Sequence, residues 1–314
     1  MRRDDVLKRV VVFSFILLLM HIDIRISAQN TLIRSESDYA KLTIFADNGK
    51  TNDALVGKNG EIIHIEAPGY IYQRIDKFNW EVDYSCFIAF EDNVEEGLES
   101  HMILQIGGNT TKFYSWRLHA ADSSMQYDNG REIEALFKKA NPLFVNDVYY
   151  TDIPENELTF ICRFASEDYY YKETLSIINW IIMPQTKEIC GHICKKANGL
   201  FRGRYYEAWF AEDMPISSGP WKLRGLPGLI LEAQEINGLC RFSATSVKQH
   251  SGYIEKPSYN YYKINRKEYQ SMLAQYMNAP LRFQSMHLNT APGIRIIPPA
   301  KETPLRKIVI LEIE

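Results

Sequence analysis

Period-two alternation dominates this chain. Over Tyr84–Phe90 one face carries Tyr84, Cys86, Ile88 and Phe90; over Leu158–Phe164 one face carries Leu158, Phe160, Cys162 and Phe164, with Arg163 pointing away. Side chains on a strand alternate between faces, and aromatic and β-branched residues suit a half-buried pleated surface, so this spacing predicts antiparallel strands. The same reasoning predicts strands over Glu61–Ile65, Met102–Ile106, Lys112–Leu118, Ser176–Met183, Arg202–Phe210, Leu229–Gln234 and Cys240–Val247, and a last one over Lys307–Ile313. Helical spacing occurs twice. Arg131–Ala140 places Ile133, Leu136, Phe137 and Ala140 together before Asn141-Pro142. Arg266–Met277 places Tyr269, Met272, Leu273, Tyr276 and Met277 together; Asn265 and Glu268 have capping-box spacing, and Pro280 is the expected stop. The expected fold class is α+β, mainly β: one large, curved, half-barrel-like antiparallel sheet with two helices packed on one face.

Between the strands predicted at Arg202–Phe210 and Leu229–Gln234 runs a connection of unusual composition, with Pro215, Gly219-Pro220, Trp221 and then Gly225-Leu226-Pro227-Gly228. Hairpin loops usually have about two to five residues, and longer ordered loops are often functional. Pro227 presets φ near −65° and Gly228 tolerates positive φ, so Leu226–Leu229 is expected to form a type II turn, with Gly225 allowing close backbone approach. Two roles fit the loop: packing, in which Trp221 and Leu226 plug the end of the sheet, and docking, in which Trp209, Pro215, Gly219, Pro220, Trp221, Leu226 and Pro227 meet an envelope protein or an apolar ligand.

The N-terminus changes the compartment. Arg2, Arg3, Lys8 and Arg9 precede an apolar run, Val10–Met20, interrupted only by Ser14, and Ile26-Ser27-Ala28 offers small residues before Gln29. This reads as a secretory signal cleaved after Ala28, too short to span a bilayer comfortably, and it implies a periplasmic or secreted protein with no transmembrane helix after cleavage. Residues 29–288 then form one domain, followed by a Pro-rich tail over 289–314. Cleavage removes five of the 36 basic and three of the 39 acidic residues, leaving a net charge of −5, which argues against a nucleic-acid partner. Cys86, Cys162, Cys190, Cys194 and Cys240 all survive; pairing is allowed in an oxidising compartment, and the odd count leaves at least one thiol over.

Candidate chemistry is sparse. No nucleophile-elbow, zincin, dinucleotide-binding or phosphate-cradling motif is present, and no cofactor is implied. His192 and Cys194 share a strand face and are weak metal candidates, whereas Cys190 and Cys194 on a regular strand would lie about 13 Å apart, too far for a disulfide. Lys195-Lys196 with Arg202 and Arg204 form a local basic cluster that suits either a solvated edge or an anionic group. The six histidines after the leader are scattered, so a catalytic set would have to be assembled by folding.

Several blocks resemble the GLPGLI family, exported proteins of Bacteroidota with no established activity. They are Gly225-Leu226-Pro227-Gly228-Leu229-Ile230, Met102–Gly107 with Lys112–Ser115, Ile189–Ala197 with its Cys194, Arg202-Gly203-Arg204, Ala208-Trp209-Phe210, Met214-Pro215-Ile216, Gly219-Pro220-Trp221-Lys222 and Arg266-Lys267-Glu268-Tyr269. Ala211, Cys190 and His192 depart from the usual pattern. The resemblance implies no catalytic or ligand residue. It leaves an expectation of a non-enzymatic binding or accessory protein of the cell envelope, with an envelope hydrolase as the alternative.

Overall fold

A computed structural model describes residues 26–28, 45–47, 50–56, 62–65, 72–116, 147–164, 167–258, 261–287, 294–296, 301 and 304–313. Short pieces pair outside the main sheet: β1 (Ile26–Ala28) with β17 (Ile294–Ile296), and β2 (Phe45–Asp47), β3 (Lys50–Val56) and β4 (Ile62–Ile65) as a meander. The expected cleavage point after Ala28 falls at the end of β1, and residues 1–25 lie outside the described residues.

The main sheet has 12 strands. They are β5 (Tyr72–Phe90), β6 (Asn93–Gly107), β7 (Thr110–Ser115), β8 (Val148–Asp152), β9 (Glu157–Phe164), β10 (Glu167–Thr174), β11 (Trp180–Ile189), β12 (His192–Phe201), β13 (Arg204–Ala211), β14 (Leu229–Glu235), β15 (Cys240–Pro257) and β16 (Tyr262–Lys263). Their spatial order is β11-β12-β13-β14-β15-β5-β6-β7-β8-β9-β10-β16, antiparallel except for β16 against β10. β10 and β11 are ten places apart in this order yet consecutive in the chain. Ten inter-strand steps of a flat sheet would span about 48 Å. The link from Thr174 to Trp180 can reach only about 20 Å. The sheet therefore curls until its β7–β10 half faces its β11–β14 half. Glu173 of β10 accordingly accepts a hydrogen bond from Arg202, at the β12–β13 turn, at 3.2 Å.

The enclosed side chains form one apolar cluster drawn from both halves, including Val82, Tyr84, Leu104, Phe160, Phe210 and Leu231. A second cluster, with Phe78, Ile103, Tyr114, Tyr150, Ile161 and Ile254, lies on the other face of the β5–β9 region. Tyr84 is fully buried, and its hydroxyl donates to the Ile230 carbonyl at 2.7 Å, which ties β5 to β14.

The mainly β expectation holds, but the α+β packing does not: the described residues are nearly all β. The helix expected at Arg131–Ala140 lies outside the described residues. The other exists as α1 (Arg266–Asn278), with both arms of the capping box made: the Asn265 side chain accepts from the Glu268 N–H, and Glu268 accepts from the Asn265 N–H. As expected, α1 stops ahead of Pro280, ending at Asn278 with Ala279 as its C-cap, and Pro280 has a second role. It opens α2 (Pro280–His287), as the missing N–H of proline permits at a first helical position. Only Tyr276 and Met277 of α1 are fully buried, so the helices strap the core rather than form a layer over a sheet face. The enclosed volume is filled by the sheet's own two halves and by one of its loops.

Four strand expectations also shift. Residues 175–179 form the crossing link, so the strand expected at Ser176–Met183 is β11. Cys190-Gly191 and Arg202-Gly203 are two-residue turns with positive φ at both positions (49° and 83°, 50° and 80°), the twist that suits antiparallel hairpins. Cys190 therefore leaves the strand on which its distance to Cys194 was reckoned, and Arg202 leaves β13. Lys307–Ile313 adds no strand; it runs extended and makes a single bridge, Ile308 to Phe90.

Candidate functional site

The connection between β13 and β14, residues 212–228, folds into the curl of the sheet. The Met214 carbonyl accepts from the Leu229 N–H at 3.0 Å and the Ser218 carbonyl from the Ile230 N–H at 2.9 Å, so the loop lies against the start of β14. Gly219, Pro220, Trp221 and Leu226 are buried, with Leu226 at 1% exposure. Trp221 stacks on Phe242 at 6.2 Å between centroids and touches Phe201 edge-on at 5.6 Å. Pro215 and Pro227 are exposed, and Trp209 is half-buried on the opposite face with the Lys187 ammonium 4.4 Å from its ring centroid. The docking set thus divides into buried packing residues, two exposed prolines and an outward tryptophan.

The two glycines of the signature exchange the roles expected of them. Gly225 carries the positive φ, +97°, and Gly228 does not, so the type II turn at Leu226–Leu229 is not formed. Gly228 is required by proximity: a Cβ there would lie 2.2 Å from the Ala211 carbonyl oxygen. Gly228→Ala should therefore cost about 2 kcal/mol in a thermal or urea unfolding measurement. Gly108→Ala, whose Cβ would meet nothing within 4 Å, serves as the comparison. Equal stability of the two variants would refute the close-approach account.

Lys222 follows Trp221 into the interior, and its side chain is only 4% exposed. Its ammonium donates to Glu173 Oε1 at 2.6 Å, to Glu312 Oε1 and Oε2 at 2.8 and 3.0 Å, and to the Tyr171 hydroxyl at 3.2 Å. Arg202 donates from Nη2 to Glu173, while its Nε and Arg266 Nη1 approach Glu312 Oε1 at 3.9 and 3.6 Å without forming hydrogen bonds. Close by, Asp147 Oδ2 accepts from the Tyr269 hydroxyl at 3.0 Å and the Tyr149 hydroxyl at 3.5 Å. Burial raises the Asp147 carboxyl to about 7, against the opposing pull of the two hydroxyls and of Lys222. This cluster joins the loop, β8, β10, the β12–β13 turn, α1 and the extended segment ending the described chain. It can hold these elements together, but it is closed and paired to itself. Sequence reading missed it because its members are scattered from Asp147 to Glu312. The available signals were a lysine between Trp221 and Leu223, and a glutamate within the apolar run Ile308–Ile313.

The basic cluster disperses into local pairs: Lys195 with Glu212, Lys196 with Glu207, Arg202 with Glu173, and Arg204 with the Ile310 carbonyl. His192 Nδ1 lies 2.7 Å from Asp213 Oδ2, while Cys194 is fully buried. Among the described residues no group of three or more His, Cys, Asp or Glu could hold a metal ion. On the outer face of β5, β6 and β15, Asp83 accepts from Lys248 at 2.8 Å and meets His101 Nε2 at 2.9 Å; Trp116 stacks on the His101 ring. Burial pushes the Asp83 carboxyl up, but these two partners outweigh it and hold it below the usual range. A histidine–carboxylate pair at hydrogen-bond distance is thus present, on an open surface where His101 is 45% exposed.

Beside the loop is a small pocket of about 310 Å³, counted out to its open mouth. Ser217, Ser218, Trp221, Lys222 and Arg224 line one side, and Thr111, Thr151, Ile153 and Leu175 the other.

Residues 156–274 match the family model of the N-terminal domain of N-glycanase peptide (PNGase F-II). No curated protein matches the chain. Two crystal forms of PNGF-II, in space groups C2 and P21, each align at 19% identity and a TM-score of 0.45, covering 65% of this chain and 34% of theirs. The chain thus spans about a third of the length of the solved structures it matches. No described helix is long and apolar enough to cross a membrane.

Proposed function

We propose that this protein is an exported, non-enzymatic binding domain of the cell envelope, of the GLPGLI type, which meets its partner at the outer rim of the Pro/Gly loop. One contrast carries the reading. The densest set of titratable groups, around Lys222, is closed from solvent and ion-paired to itself, whereas the loop's rim keeps Ser217 exposed beside an open pocket. A closed ion cluster stabilises the fold but receives no substrate; an open rim can receive a partner. An apolar ligand in the curl of the sheet is not part of this reading, because Trp221 and Leu226 fill that space. The match to a model named for an N-terminal domain supports an ancillary role, and the basic start with its apolar run supports export.

Ser217→Trp tests this, since it places an indole over the pocket mouth and leaves the buried loop intact. In affinity capture from envelope extract, a partner held by the wild-type protein should fall by at least about tenfold with the variant. Equal recovery would remove the loop rim from the function. The second reading, an envelope hydrolase, rests on the His101–Asp83 pair. Turnover of an envelope polymer that is lost in His101→Gln and kept in Ser217→Trp would replace the binding reading with that one.

A further inference from the structure

Large apolar side chains gather on one rim of the molecule and stay open to solvent. Leu200 and Tyr205 face each other across the β12–β13 hairpin, and the Ile236 N–H, just past β14, donates to the Tyr205 carbonyl at 3.0 Å. Ile181 of β11 registers with Asn198, two residues before Leu200 and so on the same face. Ile177 lies in the crossing link, where the next residue, Ile178, packs close to Gly199. Ile313 comes from the tail, and its N–H donates to the Arg202 carbonyl at the β12–β13 turn. These side chains are between 49% and 89% exposed, while their neighbours Phe201, Tyr206 and Glu235 are buried. An apolar row across the ends of β11–β14, on the face turned away from the core, adds nothing to that core and marks an interaction surface.

Charge around this rim is one-sided. Arg204 donates from Nε and Nη2 to the Ile310 carbonyl, and Arg241, exposed on β15, lies over the Phe87 ring, 5.4 Å from its centroid. Neither meets a carboxylate within ion-pair distance among the described residues. The acids of the same region are already engaged: Glu207 by Lys196 at 2.6 Å, and Glu235 by Asn237 and the Leu239 N–H. Glu99 stands on β6, two strands beyond Arg241. The rim thus offers aliphatic side chains, one tyrosine and two arginines without counter-ions. Going beyond the loop-rim reading and sharing only export with it, we propose that this rim docks the protein peripherally on an anionic lipid surface. Apolar area entering the interface and arginines meeting acidic headgroups are the two terms of such binding. Exposures this high mean that the side chains stand out from strand ends and turns rather than line a trough. A docking peptide or helix needs a trough of complementary shape, whereas a bilayer needs only area and charge.

The probes are vesicles of phosphatidylcholine alone and of phosphatidylcholine with about one-fifth phosphatidylglycerol. The protein recovered after export, free of its apolar leader, should co-sediment with the anionic vesicles and at least about fivefold less with the neutral ones. Leu200→Gln together with Ile236→Gln should weaken partitioning at least about tenfold. Arg241→Gln should weaken it about fivefold, on the anionic vesicles only. Ile193→Gln, which removes an exposed aliphatic side chain at the other end of β12, should leave it unchanged. Unfolding midpoints matching the wild type show that the variants report on binding. Absence of sedimentation with either vesicle, or equal partitioning of the wild type and the double variant, overturns the proposal. A dimer that the double variant loses, without vesicle binding, assigns the rim to a second copy of this chain and overturns it as well. Ser217→Trp should leave vesicle binding as it is, so the loop-rim reading and this one can fail separately.

Discussion

Lys222→Met should lower the unfolding free energy by about 3–5 kcal/mol in urea denaturation, among the largest effects of any single side chain in the protein. The thioether fills the stem's volume, so the loss is electrostatic. Glu173 and Glu312 would keep their buried carboxylates and lose the ammonium at 2.6–3.0 Å that offsets their desolvation. Arg202 would remain near both, at 3.2 and 3.9 Å, but only its contact with Glu173 is a hydrogen bond. Glu312 is therefore the group left most exposed to the loss. Adding Glu312→Leu to Lys222→Met should recover more than half of the stability, because an apolar pair of similar volume removes the uncompensated charge. A cost for Lys222→Met below about 1 kcal/mol, or no recovery in the double variant, would mean that the cluster does not hold the loop.

Asp147→Asn should change how stability depends on pH. Burial disfavours the charge of the folded-state carboxyl and pushes it up to about 7, from an ordinary value of 3.8. Below about pH 4 both folded and unfolded chains carry the proton, and the group contributes nothing to the difference. As pH rises from about 4 to 7 the unfolded chain releases its proton first, so the unfolded state gains and stability falls; above about 7 the loss is complete. Three pKa units correspond to about 4 kcal/mol. The asparagine keeps an oxygen to accept from Tyr269 and Tyr149 but cannot ionise. The variant should therefore gain on the wild type by several kcal/mol between pH 4 and pH 8, read as the difference in urea midpoints. A flat difference across that range would show that Asp147 is not a buried neutral acid.

Much of the sheet was legible in the sequence because local geometry alone fixes it. β9 pairs with both of its neighbours without a register slip, and the capping box at Asn265 needs only residues three apart. The 18-residue β15 was cut short at Val247 because its pairing with β5 slips at three places, between Ala244 and Ser246, Gln249 and Gly252, and Ile254 and Glu255. Each slip moves the alternation to the other face, so no single period runs through the strand. The loop's chemistry was illegible for a different reason. Trp221 and Leu226 announced themselves by size and polarity, but nothing near Lys222 in the chain marks Glu173 or Glu312 as its partners. Gly225 and Gly228 were both correctly marked as special backbone positions. Which one needed the left-handed conformation and which needed the missing Cβ depended on Ala211, seventeen residues earlier than Gly228.

The pairing of Lys222 with Glu312 also sets an order of events during folding. The two residues are 90 positions apart, and the Tyr84–Ile230 and Arg306–Asp92 contacts bridge 146 and 214. Contacts this distant must offset the entropy of closing long loops before they contribute, which places such a β topology in the slow regime of about milliseconds to seconds. Until the segment bearing Glu312 docks, Lys222 is a cation beneath Trp221 in an unfinished interior. The curled sheet can gather its apolar faces early, but the loop cannot lock until that distant carboxylate arrives, so the signature region is among the last parts of the molecule to reach its final state.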